Sequence, residues 1–397
     1  MIVHAPVSIL RPLRAVRDYW QLPSAAKVEY RRDRWKPAEE DPGIERAISA
    51  GIAWLARAQD QSASRDGGVA RHFSLITGWS TSYPETTGYI VPTMLAHAAA
   101  AGDADARLRA LRMLDWLTSI QFPEGGFQGG MIGERPVVPV VFNTGQILIG
   151  LAGGAPANRE KYGAAMVRAA DWLVTIQDSD GCWRRHGSPF AKAGEKTYDT
   201  HVAWGLFEAA RVEPNRSYAE AALANIRWAL FHQQSNGWFD RCCLTEPSQP
   251  LTHTVGYVLR GVLEAYRFTR DPSLLASCRR TADALLSVIH PSGFLPGRLR
   301  GDWTPAASWA CLTGTAQIAI CWLMLYAETK QTTYRDAALL ANSYVRRTLK
   351  IEGPPDVRGG VKGSFPIDGA YNAYQYLNWG CKFMIDANML ERTIRSG

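Results

Sequence analysis

Five side chains stand where proton transfer can be arranged: Glu85 in "YPETTGY", Asp199 and His201 in "TYDTHVAWG", and His253 and Tyr257 in "LTHTVGY". Each lies near the start of a segment rich in small residues, Thr and Tyr and poor in charge. Pro84 and Glu85 suit the first turn of a helix, where proline is favoured and a carboxylate is stabilised by the helix dipole. Glu85 therefore reads equally as a helix-end charge or as a general acid or base. Asp199 fits a plain N-cap, but a carboxylate beside His201 can also tune an acid–base group. His253 and Tyr257 are four apart and share one helix face. Buried polar groups of this kind need partners; they can pair structurally or serve as proton acceptor and donor on a sugar.

A second set of residues can bind rather than react. Arg135, Arg184, Arg185, Arg241 and Arg298, with His186 and Arg300, fall in turns that follow helical segments. A guanidinium fork matches carboxylate or sulfate, so their recurrence predicts a basic mouth. Trp204, Trp303, Trp309 and Trp379 can stack on sugar faces, although each taken alone is more often core. Tyr374, Asn378 and Lys382 form a polar stripe at helical spacing, suited to packing and substrate hydrogen bonds.

The elements that must position these groups repeat along the chain. "AWLARAQ", "DWLTSIQ", "DWLVTIQ" and "RWALFHQ" place Gln five residues after Trp54, Trp116, Trp172 and Trp228. From Trp54 to Trp116 is 62 residues, and the next two steps are each 56. A turn with glycine and an aromatic follows: Gly126-Phe127, Gly181-Cys182-Trp183, Gly237-Trp238. Gly293-Phe294 keeps the phase after Trp and Gln are lost, and "GGVKGSF" is a looser last copy. Between the amphipathic Trp–Gln segments lie the apolar, small-residue ones, which begin near Tyr83, Phe142, Thr197, Leu251, Cys311 and Asp368. A helix apolar all round is buried and an amphipathic one lies at the surface. The expected fold is therefore all-α: an (α/α)6 toroid of six helical hairpins, with six inner and six outer helices. Inner-helix starts converge on one mouth, where their N–H groups and dipoles suit an anion. Strand signals are few, confined to the Gly-rich turns and to Val137–Val141.

The bulk properties bound the reading further. The 397 residues are 46% hydrophobic, enough for a large core, and carry a net charge of +7. That balance suits an anionic partner, but no aromatic-interleaved basic motif points to nucleic acid. No run of about 18 apolar residues predicts a membrane span. Arg11, Arg14 and Arg17 interrupt the place where a signal peptide needs its apolar segment. Seven Cys without a paired pattern fit reduced thiols and a cytoplasmic protein. Residues 1–43 are expected as an arm packed on the ring, rather than a membrane-surface helix, and residues 44–397 as the catalytic toroid.

This arrangement resembles the (α/α)6 toroids of six-hairpin glycosidases, sugar epimerases, polysaccharide lyases and the terpenoid cyclase–prenyltransferase group. "AADWLVTIQDSDGCW" is similar to the QW repeat of squalene and terpene cyclases, in which Gln and Trp tie one outer helix to the next turn. "YPETTGY", "LTHTVGY", "CLTGTAQIA" and "YQYLNWGCKFMIDA" together resemble VpsJ-type proteins of bacterial polysaccharide biosynthesis, which implies work on a glycan. The expectation is an enzyme acting by acid–base chemistry on an acidic, uronate-containing oligo- or polysaccharide: a hydrolase, a C5 epimerase or a lyase. A non-catalytic glycan-binding protein is one alternative. A terpene cyclase is another, but no run of adjacent aspartates is present. A zinc site would need a cluster, whereas Cys242 and Cys243 lie in a turn and Cys311, Cys381 and His253 are dispersed. Neither metal nor cofactor is expected.

Overall fold

The computed structural model describes residues 19–35, 39–214 and 216–396; Arg11, Arg14 and Arg17 lie outside them. Helix α1 (Ser24–Trp35) precedes the ring. Outer and inner helices then alternate. Outer α2 (Ile44–Asp60) leads through β1 (His72–Ser74) and β2 (Gly78–Trp79) to inner α3 (Pro84–Ala101). Outer α4 (Ala104–Ser119) and inner α5 (Val141–Gly154) follow, then outer α6 (Ala164–Ile176) and inner α7 (Thr200–Val212). Outer α8 (Tyr218–Phe231) pairs with inner α9 (Thr252–Thr269), and outer α10 (Pro272–Leu286) leads through β3 (Ala310–Cys311) to inner α11 (Leu312–Thr329). Outer α12 (Thr332–Arg346), strands β4 (Val361–Lys362), β5 (Ser364–Phe365) and β6 (Gln375–Leu377), and inner α13 (Asn378–Ser396) complete the chain. The molecule is an (α/α)6 toroid.

Side-chain size sets how closely the inner helices approach. A Cβ at Gly150 would sit 2.2 Å from the Gly88 carbonyl oxygen, and one at Gly205 would sit 2.4 Å from that of Gly145. The helices thus touch backbone to backbone, which only glycine allows. Thr, Ala and Leu fill the remaining interior, so α5 and α11 carry no charged side chain over most of their length.

The outer ring is stitched by the repeated glutamines. Gln121 Nε2 donates to Gly125 O in its own turn and to Ala165 O on the next outer helix, each at 2.9 Å. Gln177 repeats this with Gly181 O at 3.0 Å and Ala221 O at 2.9 Å. Gln59 reaches Gly67 O and Arg109 O; Gln233 reaches Ser277 O and Thr281 Oγ1. Trp116 packs over Gly68, and Trp172 over Gly126. Each glutamine therefore ties its own hairpin to the next outer helix, while a tryptophan covers the glycine turn. The four tryptophans occupy equivalent outer-helix positions, as their spacing implied.

Strands close the ring. β1 pairs with β6 antiparallel, His72 opposite Leu377 and Ser74 opposite Gln375, which joins the first repeat to the last. β4 pairs with the other edge of β6. The last inner helix begins at Asn378 and not near Asp368, as the sequence suggested, because Asp368–Leu377 forms a loop and the closing strand. Around Val137–Val141 the extended signal amounts to a single bridge, Gln128 to Pro139.

Candidate active site

A cavity of about 570 Å³ opens where the inner helices start. Five of the six inner-helix starts contribute to it: Glu85 on α3, Phe142 and Asn143 on α5, Tyr198 just before α7, His253 and Tyr257 on α9, and Trp379 on α13. The closing strands add Arg71, His72 and Gln375, and the loop before β6 adds Tyr371 and Asn372.

Glu85 is buried in the first turn of α3, behind Pro84 at the helix N-terminus. Burial raises its pKa to about 7, although the Tyr83 hydroxyl and the Arg71 guanidinium pull it the other way. The Tyr83 hydroxyl donates to Glu85 Oε2 at 2.5 Å. Its own pKa is driven well above the ordinary phenol value by burial and by the Glu85 charge.

Arg71 is held by neutral groups. Nη2 donates to Asn372 Oδ1 at 3.0 Å and Nη1 to Gln375 Oε1 at 3.4 Å. Its guanidinium carbon lies 4.8 Å from the centre of the Trp379 ring, a cation–π arrangement that orients the fork. Nη1 is also 3.1 Å from His72 Nδ1. Among the described residues no carboxylate lies within ion-pair distance of it. Arg298 also lines the cavity, tied to Gln249 O at 2.8 Å.

His253 Nδ1 lies 2.7 Å from Gln317 Oε1 on the neighbouring inner helix. With a carbonyl oxygen as partner, Nδ1 carries the hydrogen and Nε2 remains an acceptor. Burial lowers the His253 pKa to about 4, so the ring is neutral at pH 7. The His253 and Tyr257 rings are 4.4 Å apart. Burial holds the Tyr257 phenol protonated, well above its ordinary value. His72 is likewise lowered to about 4 by burial and by Arg71.

The structure thus brings Glu85, His253, Tyr257, Arg298 and Trp379 into one cavity and leaves the other expected site residues outside its lining. Asp199 occupies the N-cap position of α7 without a side-chain cap bond. Burial raises it to about 8 against the pull of Lys196. His201 lies beneath the cavity, its Nδ1 2.5 Å from Gln146 Oε1 and its ring 4.5 Å from that of Tyr257. Arg184 is exposed and paired with Asp178, Asp180 and Glu195. Arg241 pairs with the same Glu195. Arg185 is exposed and donates to Ile176 O; Arg135 is exposed. Of these turn residues Arg298 reaches the cavity, whereas Arg184 and Arg241 are neutralised by carboxylates outside it.

Trp204 lies farther along its helix, in a second cavity with Arg211, Arg260 and Arg267. Trp309 covers Gly297 and Gly369. Tyr374 is half-buried, its backbone bonded to Ile367 O and Leu75 N. Asn378 is buried, donating to Ala70 O and Thr86 Oγ1. Arg71, Tyr83, Asn143, Tyr371, Asn372 and Gln375 were not singled out by type or spacing. Tyr83 and Asn143 lie where the inner segments beginning near Tyr83 and Phe142 open, and a polar residue at a helix start is the available signal. Nothing in the sequence marked Arg71.

Among the described residues no three His, Cys, Asp or Glu side chains come together to hold a metal ion, and all seven cysteines are buried as free thiols. No helix of the described residues is long and apolar enough to cross a membrane.

Fold and repeat together define a helical toroid whose hairpins are tied by Gln and Trp. The model of the squalene-hopene cyclase C-terminal domain family matches residues 38–263, more than half of the chain, and the chain belongs to that family. No curated protein matches it. Solved structures share the fold at low identity. An unsaturated glucuronyl hydrolase specific for heparin is 13% identical, with 89% of this chain and 98% of that chain covered, at a TM-score of 0.71. D-mannose isomerase is 12% identical, with 88% and 97% covered, at 0.68. Cellobiose 2-epimerase from Bacillus thermoamylovorans B4167 is 11% identical, with 92% and 98% covered, at 0.64. At such identities the likeness establishes architecture, and the chemistry rests on the residues.

Proposed function

We propose that the protein is a carbohydrate-processing enzyme that moves a proton at C5 of a uronic acid residue in an acidic oligosaccharide. The observation that carries this reading is one relationship. Glu85, a buried carboxyl with a pKa of about 7, shares a cavity with Arg71, a guanidinium without a carboxylate partner among the described residues. Arg71 binds the sugar carboxylate. Glu85, its pKa brought near neutrality by burial, takes the C5 hydrogen as a proton. The electron pair of the broken C–H bond passes into the carboxylate held by Arg71. The intermediate then regains a proton at C5, giving the epimer, or expels the C4 substituent, giving the unsaturated sugar. Tyr257 stays a neutral phenol and supplies the donor; His253 Nε2 is the acceptor beside it.

Two points support this over glycoside hydrolysis and over a purely binding role. Hydrolysis uses two carboxyl groups flanking the bond, whereas among the described residues the one other carboxylate on the cavity wall, Glu134, is engaged by the Met131 N–H at 2.7 Å. A binding protein has no use for a carboxyl raised to about 7. The solved structures do not separate these reactions, since a glucuronyl hydrolase shares the fold as well as the isomerase and the epimerase.

A second reading, proton-driven cyclisation of an isoprenoid, is favoured by the family and by the aromatic walls Tyr83, Phe142, Tyr198, Tyr257, Tyr371 and Trp379. It is the weaker of the two. Protonating an alkene demands a strong acid, and burial moves Glu85 in the opposite direction. Incubation with a uronate oligosaccharide in D2O separates the readings. Deuterium at C5, or an unsaturated product, supports the proposal; an unchanged uronate alongside a cyclised isoprenoid overturns it.

A further inference from the structure

The N-terminal helix touches the ring through buried ions, and those ions lead to the cavity wall. Glu29 and Asp33, both buried on one face of α1, close on Lys362 of β4, which is itself 1% exposed. Lys362 Nζ lies 2.6 Å from Asp33 Oδ1 and 2.7 Å from Glu29 Oε1. The second Asp33 oxygen accepts the Ile367 N–H at 2.9 Å. Lys350 also pairs with Glu29, and Arg34 of α1 with Asp368.

Ile367 is the neck of a loop. Its carbonyl accepts from Tyr374 N at 2.9 Å, closing residues 367–374. Ser364 Oγ bonds Tyr371 on both its carbonyl and its N–H, at 2.9 and 3.1 Å. The tip of this loop carries Tyr371 and Asn372 into the cavity, and Gln375 follows directly. Asn372 and Gln375 are the acceptors that hold Arg71.

We infer that α1 is a positioning element of the active site: Asp33 and Glu29 fix Lys362 and Ile367, and through them the loop that orients Arg71. Buried ion pairs add little net stability over apolar packing of the same shape, because desolvation offsets the attraction. What they add is direction. Asp33 places one oxygen on a side chain of β4 and the other on a backbone amide five residues later, which an apolar contact cannot do. Glu29 and Asp33 themselves stay outside the cavity lining, so their effect on a ligand passes through the loop.

The anion-binding part of this inference rests on the proposed uronate reading; the loop-ordering part does not. The test is amide hydrogen exchange of residues 363–375 without ligand, with glucuronate affinity measured by calorimetry on the same full-length proteins. Asp33→Ala is expected to raise exchange in 363–375 while α7 is unchanged, and to weaken glucuronate binding about tenfold, the scale of one hydrogen bond to a charged group. Asp33→Asn, which keeps an acceptor for Ile367, should restore part of both and carries the comparison if the alanine variant does not fold. Arg31→Ala, exposed on the same helix, should change neither. Unchanged exchange in both Asp33 variants overturns the positioning role whatever glucuronate does. Faster exchange with a wild type that does not bind glucuronate supports the positioning role and removes the uronate reading.

Discussion

Tyr83 donates its hydroxyl hydrogen to Glu85 Oε2 across 2.5 Å, from the N-cap of the helix whose first turn holds Glu85. The two residues are adjacent on the cavity wall because the chain is extended at Tyr83 and helical from Pro84. This bond favours the ionised carboxylate; burial opposes it and prevails, leaving Glu85 near 7.

Glu85→Gln is expected to lower turnover of a uronate oligosaccharide by about two orders of magnitude or more, the usual scale for losing a general acid or base. The wild-type kcat/KM should rise with pH through about 7. Rates measured from pH 5 to 9 on both proteins check this.

The same group makes stability depend on pH. The folded pKa of Glu85 is raised above its ordinary value of 4.5. Its contribution is therefore fully present below about 4.5 and is lost as pH rises through about 7, on the order of 3 kcal/mol in all. Glu85→Gln cannot lose it. The variant should unfold at the same urea concentration as wild type near pH 4.5 and at a higher one near pH 8.

Arg71→Met is expected to raise KM for a uronate substrate by about tenfold to a hundredfold, as for a charge-assisted hydrogen bond, and to leave binding of the neutral glycan unchanged. Arg71→Lys should recover only part, since a single ammonium cannot serve Asn372, Gln375 and a carboxylate in one plane. Steady-state kinetics on the uronate, and calorimetry with both glycans, decide it.

Arg184→Ala should leave kcat/KM within about twofold of wild type, because its guanidinium is already engaged by Asp178, Asp180 and Glu195 at the surface. A large loss of affinity would place the turn loops at the ligand after all.

Gln177→Ala should destabilise the ring by about 1–3 kcal/mol, since the link from its helix to the Ala221 carbonyl is lost while Gly181 O keeps only the Asn225 Nδ2 donor. Gly205→Ala should cost more, its Cβ falling 2.4 Å from the Gly145 carbonyl oxygen. Urea unfolding monitored by tryptophan fluorescence measures both.

The sequence by itself determined the architecture. Trp–Gln spacing and the alternation of amphipathic with small, apolar segments imply twelve helices in two rings, since each hairpin must bury one face against its neighbours. It also marked Glu85, His253 and Tyr257 as helix-start residues, and a closed ring of parallel inner helices brings such starts together. Tertiary structure alone decided the rest. Arg71 sits between an outer and an inner helix with no local pattern, and it meets Asn372 and Gln375 only because β1 pairs with β6 from the far end of the chain. Arg184 and Arg241 read as ligand cations until Glu195 is seen between them. The pKa of Glu85 is a property of burial, and burial depends on residues hundreds of positions away. Periodic packing repeats along the chain and can be read from it; a charge is set by whatever the fold places beside it.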